Sequence, residues 1–335
     1  MPQILSYPPH EPKEDPDTRH VLIFFITGNP GLVDYYEPFL STLRTLLDEN
    51  PRPRPQPVSF HVYGRNLAGF DDADHEPFSA DRPPHDLEFQ IQHVLSALDA
   101  LTVEAAGPRH GTPFDRVILV GHSVGAFITL EAFHRRLGDR SLTSGILLFP
   151  TVAHIALSPS GLRISRLKAV APAAVERGIH SIAKTATYLL PDWTLSWLLR
   201  SAMGFPEHAA GATERFVRSR DGIWQAVHLG KDELNLITEE KWGEELWEVV
   251  DEVEAQEHDV PKFFFYFGEH DHWVDNELRD QFIQRRNEHA ARQGPEHKRG
   301  RTRMMVDEDG IPHAFCISEC FSIRGFATYE FVNDN

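Results

Sequence analysis

The chain has 335 residues, 41% apolar and 25% charged, which is ordinary material for two domains or one large α/β unit. That composition excludes collagen, low-complexity disorder and a disulfide scaffold. Fifty Asp and Glu outweigh 33 Lys and Arg to a formal charge of −17, which argues against nucleic acid and against electrostatic docking on anionic membranes. Apolar contact with a lipid surface stays open. The two cysteines, Cys316 and Cys320, cannot form a disulfide framework and read as reduced, buried thiols in a reducing compartment. The N-terminal stretch from Met1 to Ser6 leads into no signal-peptide apolar run, and Val21 to Ile26 falls far short of the ~20 residues that span a bilayer. A soluble or peripheral protein on the cytosolic side is expected.

In chain order, short and nearly continuous apolar runs predict strands at Val21–Thr27, Val58–Gly64, Arg116–Gly121, Gly145–Pro150, Lys262–Phe267 and Arg303–Val306. Runs without alternation suit a parallel sheet covered on both faces. Amphipathic patterns predict helices at Tyr36–Leu47, Leu87–Ala105, Val124–Arg136 and Asp275–Arg292, with a last one from Ala314. Strand and helix in alternation give a mostly parallel, doubly wound α/β sheet. The stretch from Thr151 to Asp259 breaks the rhythm with helical segments only, such as Pro172–Leu190 and Leu195–Met203. It predicts a helical cap over 151–259, inserted between late strands of a core formed by 1–150 and 260–335. Pro51 to Pro57 reads as a stiff polyproline connector and Asp71 to Pro84 as a mobile acidic loop. No internal repeat is visible.

The strongest chemical signal is Gly121-His122-Ser123-Val124-Gly125, between an apolar strand and a helical pattern. Strand, tight turn and helix are the setting of a G-x-S-x-G nucleophile elbow and predict an α/β-hydrolase fold. The helix N-terminus would offer the Val124 N–H to a developing oxyanion. A serine needs a general base oriented by a carboxylate, in the chain order Ser, acid, His. After the Lys262–Phe267 strand, Glu269, Asp271 and Asp275 compete for the acid. Glu269 follows Gly268 directly and Asp275 suits a helix N-cap, so Asp271 is favoured. His270 and His272 flank it without the spacing of a zinc motif, and no metal is expected. His313 follows the last strand in Gly310-Ile311-Pro312-His313, whereas its rival His297 lies in a solvated basic stretch. After the first strand, Thr27-Gly28-Asn29-Pro30-Gly31 points to the Asn29 N–H as the second oxyanion donor, because Pro30 has none.

Gly28-Asn29-Pro30-Gly31 with Tyr35-Tyr36-Glu37-Pro38-Phe39 resembles the opening of the lipid droplet-associated hydrolase family. Gln90-Ile91-Gln92-His93, Phe149-Pro150-Thr151, Ser158-Pro159-Ser160-Gly161, Asp271-His272-Trp273-Val274 and His313-Ala314-Phe315 extend the likeness over roughly Val21 to Phe315. The chain departs from that pattern at Thr27, where the family often has Pro. Its short N-terminal stretch also predicts that one or two leading strands are reduced or absent. The resemblance implies association with lipid droplets and the endoplasmic reticulum, and a role in storing neutral lipid or sterol esters.

The reading is a serine hydrolase of carboxylic esters of apolar lipids, sterol or acylglycerol esters, with Ser123, His313 and Asp271 in catalysis and no cofactor. The alternative is a droplet-binding scaffold that keeps the fold without turnover. An epoxide- or haloalkane-type mechanism would need a carboxylate at position 123. Trp193 and Trp197, four apart in a stretch poor in charge, are expected on one helix face that meets a lipid monolayer and tolerates high salt.

Overall fold

Seven strands form one sheet in the order β1-β3-β2-β4-β5-β6-β7. They are β1 (Ile4–Tyr7), β2 (Arg19–Ile26), β3 (Val58–Arg65), β4 (Arg116–His122), β5 (Leu142–Leu148), β6 (Lys262–Phe267) and β7 (Arg303–Val306). The computed structural model describes residues 3–10, 15–49, 56–105, 107–170, 178, 180–182, 184, 185, 187, 189–243, 246, 261–292, 302–318, 328 and 332. Cys320, His297, Tyr188, Pro51 to Pro55, most of 171–188 and 247–260, and the chain from 319 that was expected to continue the last helix lie almost wholly outside that set.

Every neighbouring pair from β3 to β7 is parallel, and only β1 runs antiparallel, against β3. A parallel sheet leaves two apolar faces to cover, and the helices α1 (Glu37–Glu49), α2 (Leu87–Ala100) and α3 (Val124–Arg135) supply much of that cover. Strand β6 shows the principle. Phe263 meets Phe133 of α3, whereas Phe265 and Phe267 meet Phe282 on the helix Asn276–Arg292. Residues two apart in a strand share a face, so α3 and the helix Asn276–Arg292 together cover this one face with aromatic rings, each worth roughly 1.5–3 kcal/mol when buried.

The leading segment is not absent: β1 is present, short and half exposed, and Pro8 and Pro9 follow it. Ser6 interrupts its apolar residues, and it joins the sheet only through the distant β3. Strand β5 starts and stops earlier than Gly145–Pro150 suggests, because Phe149 turns to φ 46° ahead of Pro150. Helix α2 ends at Ala100 rather than Ala105, since Val103 pairs its N–H with Thr112 and its C=O with Gly111 in a local hairpin. At the other end, the Asp86 carboxylate caps it by accepting the Phe89 N–H at 2.8 Å. After Ala314 the described chain forms a 3₁₀ turn, Phe315–Ile317.

Between β5 and β6 the described residues contain helices and turns and no strand. These are α4 (Pro159–Val170), α5 (Asp192–Trp197), a π-helical turn (Leu198–Ala202), α6 (Glu207–Arg218) and α7 (Gly222–Leu236), after which Asn276–Arg292 is α8. The sequence places one of these helices at Leu195–Met203; it begins three residues earlier and widens into the π turn. The acidic segment after Gly69 is not loose. Asp221 accepts the Phe78 N–H at 3.1 Å, Arg220 donates to the His75 carbonyl, and Phe78 is buried. The loop is a seam between the sheet and the connecting helices.

The chain steps from β2 out to β3 and then returns across β2 to β4, so the order reverses between β2 and β4. The carboxyl ends of those two strands frame the crevice where ligands sit in open α/β sheets.

Buried on β3, His61 lies with its Nε2 2.9 Å from His20 Nδ1, and burial holds it down at about 4. His93 is likewise held at about 4 by burial. Below about 6.5 the unfolded chain binds protons that the folded chain refuses, so stability is intact above that pH and drains as pH falls towards 4. Thermal unfolding should therefore show a lower Tm at pH 5 than at pH 7.5. In chemical denaturation at the same two pH values, the His61→Gln variant should narrow the difference in unfolding free energy by about 1–2 kcal/mol.

Candidate active site

The turn after β4 holds Ser123 at φ 55° and ψ −121°, a sparsely populated backbone conformation for a side-chain-bearing residue. Two glycines make it possible. A Cβ on Gly121 would lie 2.3 Å from the Gly125 carbonyl oxygen, and one on Gly125 would lie 2.3 Å from the Ile26 carbonyl oxygen. The strand, the helix and the end of β2 are thus closer than any other residue allows. Ser123 stands at the head of α3, whose first N–H belongs to Val124.

Ser123 Oγ lies 3.0 Å from His313 Nε2, and His313 Nδ1 lies 2.7 Å from Asp271 Oδ2. The three side chains come from the turns after β4, β7 and β6 respectively, and all are buried to within a tenth of their surface. Asp271 Oδ1 accepts the Trp273 N–H at 2.8 Å, which fixes the carboxylate plane and leaves Oδ2 for the imidazole. Of the competing acids, Glu269 is exposed, while Asp275 caps α8 through the Leu278 N–H at 2.9 Å. His270 points to solvent, and His272 sits beside His313 with ring centroids 6.0 Å apart. Burial, then the neighbouring His313, pushes the His272 imidazole below its usual range.

The loop after β2 closes over the serine. A Cβ on Gly28 would be 3.1 Å from Ser123 Cβ, so this backbone abuts the nucleophile position. The Gly28 N–H donates to the Tyr36 hydroxyl at 3.1 Å. Neither the Asn29 nor the Val124 N–H has an acceptor among the described residues, and both are positioned on turns that border Ser123. The Asn29 side chain donates through Nδ2 to the Ala226 carbonyl and to Glu233 of α7.

Sequence reasoning did not assign a role to Tyr36, His122 or Asp307. His122 Nε2 donates to the His313 carbonyl oxygen at 2.9 Å, so His122 Nδ1 accepts from the Tyr36 hydroxyl at 2.7 Å. The wire therefore runs from Gly28 through Tyr36 and His122 to the backbone of His313. Asp307 accepts the Tyr266 hydroxyl and the Ile311 N–H, both at 2.6 Å, and shapes the loop that carries His313. The only visible signs were a histidine inside the elbow and an acid directly after a strand. Buried Cys316 lies beside Tyr36, and burial pushes its thiol up to about 12, which leaves it protonated and inert.

A cavity of about 770 Å³ opens from Ser123 and His313, walled by apolar side chains such as Ile155, Ile164, Phe205, Phe216 and Trp273. Its walls come from the sheet turns and from the helices between β5 and β6. Asp72, His75 and Asp221 alone among the described residues have metal-like spacing. Arg220 already donates to Asp221 at 2.8 Å and to the Asp72 and His75 carbonyls, so the chain supplies its own cation there.

The family model described as lipid-droplet associated hydrolase matches residues 19–316. The chain belongs to that family. The mouse lipid droplet-associated hydrolase is 26% identical over 311 residues, covering 91% of this chain and 82% of the relative. The human one is 27% identical over 307 residues, covering 88% and 79%. Among solved structures, a peroxisomal α/β-hydrolase from Saccharomyces cerevisiae superimposes with a TM-score of 0.56 at 10% identity, over 99% of this chain and 89% of that one. A membrane phospholipase A described as a bacterial virulence factor gives 0.53 at 14% identity, over 99% and 82%. The fold is therefore that of the α/β-hydrolases, and the family is one of hydrolases associated with lipid droplets.

Gly125→Ala tests the elbow directly. The added methyl group meets backbone of β2 rather than a movable side chain, so at least 1–3 kcal/mol of stability should be lost. Chemical denaturation is expected to show that loss, whereas Gly138→Ala changes a site with nothing within 4 Å of its Cβ position and only strains a surface turn at φ 87°.

Proposed function

We propose that this chain is a serine hydrolase that cleaves carboxylic esters of apolar lipids, sterol or acylglycerol esters, at the lipid-droplet surface. The observation that carries the reading is the hydrogen-bonded chain Ser123–His313–Asp271 opening into an apolar cavity. In that mechanism His313 takes the Ser123 proton as Oγ attacks the ester carbonyl. The Asn29 and Val124 N–H groups receive the oxyanion, and the collapsing intermediate expels the alkoxide, which His313 protonates. Water, activated by the same imidazole, then releases the acid and restores Ser123. Asp271 holds the tautomer and stabilises the imidazolium throughout. The described helices between β5 and β6 act as a cap that encloses the acyl chain, and about 770 Å³ lies within the range that encloses small-molecule ligands.

Docking on the droplet from the cytosolic side, with a role in lipid storage, belongs to the same proposal. No helix among the described residues is long and apolar enough to cross a membrane. Instead, α5 turns Leu195 inward and leaves Trp193 and Trp197 at 73% and 57% exposure, with Leu189, Leu198 and Met203 also exposed. An apolar patch of this kind on a soluble-looking face fits shallow insertion between phospholipids. Beside the patch Arg200 is paired with Glu207 and Asp192 with Arg218, so apolar area rather than charge carries the contact. Monolayer binding should therefore tolerate high salt. The same face also suits the second reading, a droplet-bound scaffold without turnover.

A fluorophosphonate probe and a panel running from p-nitrophenyl butyrate to emulsified sterol and glycerol esters separate the two. Native protein should label and turn over, and Ser123→Ala should lose labelling and at least ~10³-fold in kcat. Folded native protein that neither labels nor cleaves would leave the scaffold.

The Trp193→Ser, Trp197→Ser double variant should float off artificial droplets in a sedimentation assay while retaining wild-type probe labelling. Continued droplet binding by the folded variant would move the contact to another surface.

A further inference from the structure

One buried acid takes no part in the hydrolytic steps above. Glu233 sits on α7 at 5% exposure and lines the same cavity as Ser123 and His313. An ionisable group in an apolar wall is costly unless something holds it there. Its side-chain partner among the described residues is Asn29, whose Nδ2 donates to Glu233 Oε1 at 2.9 Å. The same nitrogen donates to the Ala226 carbonyl at 2.9 Å, so both amide hydrogens of Asn29 are engaged by α7. The opposite end of that amide, Oδ1, is buried with no partner among the described residues. Orientation of the Asn29 side chain thus comes wholly from α7 and not from the sheet.

This matters because of where Asn29 stands. In the loop after β2, the Gly28 N–H is engaged by Tyr36 and Pro30 has none, which leaves the Asn29 N–H to face an oxyanion at Ser123. The loop is held on one side by Tyr36 and on the other by α7.

We propose that Glu233 is a positioning residue for the oxyanion hole: through the Asn29 carboxamide it seats the second oxyanion donor, so the hole is complete only while α7 rests on the loop. The proposal rests on the ester-hydrolase reading. A cap helix that carries both the acyl cavity wall and this clamp couples substrate enclosure to transition-state stabilisation.

The choice of carboxyl rather than amide adds a pH dependence. Burial lifts Glu233 to about 7, the Asn29 hydrogen bond pulls it down, and the Asp232 charge pushes it up. Asp232 itself is turned towards the Leu87 N–H, which it accepts at 3.0 Å. The other titratable groups lining the cavity are Lys231 on α7, Tyr35 and Tyr36 on the turn before α1, His122 and His313 on the sheet turns, and Cys316. Above about 7 the ionised carboxylate is the stronger acceptor and grips Asn29 harder than the neutral acid does below it.

The experiment uses the full chain with Glu233→Leu, Glu233→Gln, Asn29→Ala and the Asn29→Ala, Glu233→Leu pair, assayed on p-nitrophenyl butyrate. The Leu variant should lose roughly 10–100-fold in kcat with KM changed less than about twofold, since a transition-state contact is lost and not ground-state binding. Asn29→Ala should give the same loss, and the pair should be no worse than either single change. The Gln variant, which keeps an acceptor, should restore most of kcat at pH 6.5, and the wild-type to Gln ratio should rise as pH passes 7. Amide exchange in the peptide containing Asn29 should quicken in the Leu variant, a readout that needs no turnover. Unchanged kcat in the folded Leu variant, additive losses in the pair, or unaltered exchange would overturn the proposal. Should the Leu variant not fold, the wild-type to Gln ratio decides together with Asn29→Ala: a ratio that stays flat as pH passes 7, or an unchanged kcat in Asn29→Ala, overturns the proposal. If wild type neither turns over nor labels, the ester reading fails, while the exchange comparison still judges the clamp.

Discussion

Everything at the site depends on one close approach, that of the α3 N-terminus to the end of β2. Gly125 lies so near the Ile26 carbonyl that no Cβ fits between them, and Gly121 packs as tightly on Gly125. Without that approach, Ser123 could not be held at a positive φ above the sheet, nor could the loop carrying Gly28 and Asn29 touch it. The strain at Ser123, of order 1–3 kcal/mol, is stable only because neighbouring β2 and β5 over-determine the turn. The Ser123 N–H reaches the Leu148 carbonyl of β5 at 3.0 Å, which anchors it from the other side.

Around this turn, polar groups from separate elements are tied into one network inside an apolar shell. His122 faces Phe149 and Phe315, yet both of its ring nitrogens are matched, one by Tyr36 and one by the His313 backbone. Such fully matched buried networks rigidify a core, whereas a single missing partner would leave a group costing about 1–3 kcal/mol. Asp307 plays the same part for the loop after β7. The imidazole of His313 is therefore located by its own backbone and by Asp271, and little freedom is left to lose at the moment of reaction.

The helices between β5 and β6 have two apolar sides with different work. Inward, Leu195 and Leu199 pack with Ala210 on Phe205 and Val217, and the last two also line the cavity. Outward, the tryptophans of α5 stay uncovered. Phe205 and Val217, with Leu195 and Leu199 behind them, thus separate the cavity from the exposed apolar face.

The local signals were the ones legible in the sequence. Apolar runs long enough to be buried on both faces marked β2 to β6, the short run Met304-Met305-Val306 marked the half-exposed β7, and the elbow glycines marked Ser123, because a turn this tight admits few residue types. Chain order after the late strands singled out Asp271 and His313, which the fold brings together with Ser123. Strand β1 was invisible, since Ser6 interrupts its apolar residues and it joins the sheet only through the distant β3, and α2 was read too long because a hairpin partner at Thr112 lies outside any local pattern. Asp71 to Pro84 looked loose because its anchors, Arg220 and Asp221, are some 150 residues away in sequence. The same reason hid Tyr36, Asp307 and Glu233. A hydrogen bond between side chains far apart in sequence has no spacing to betray it, and burial, which decides whether an acid is costly or idle, exists only once the chain has folded.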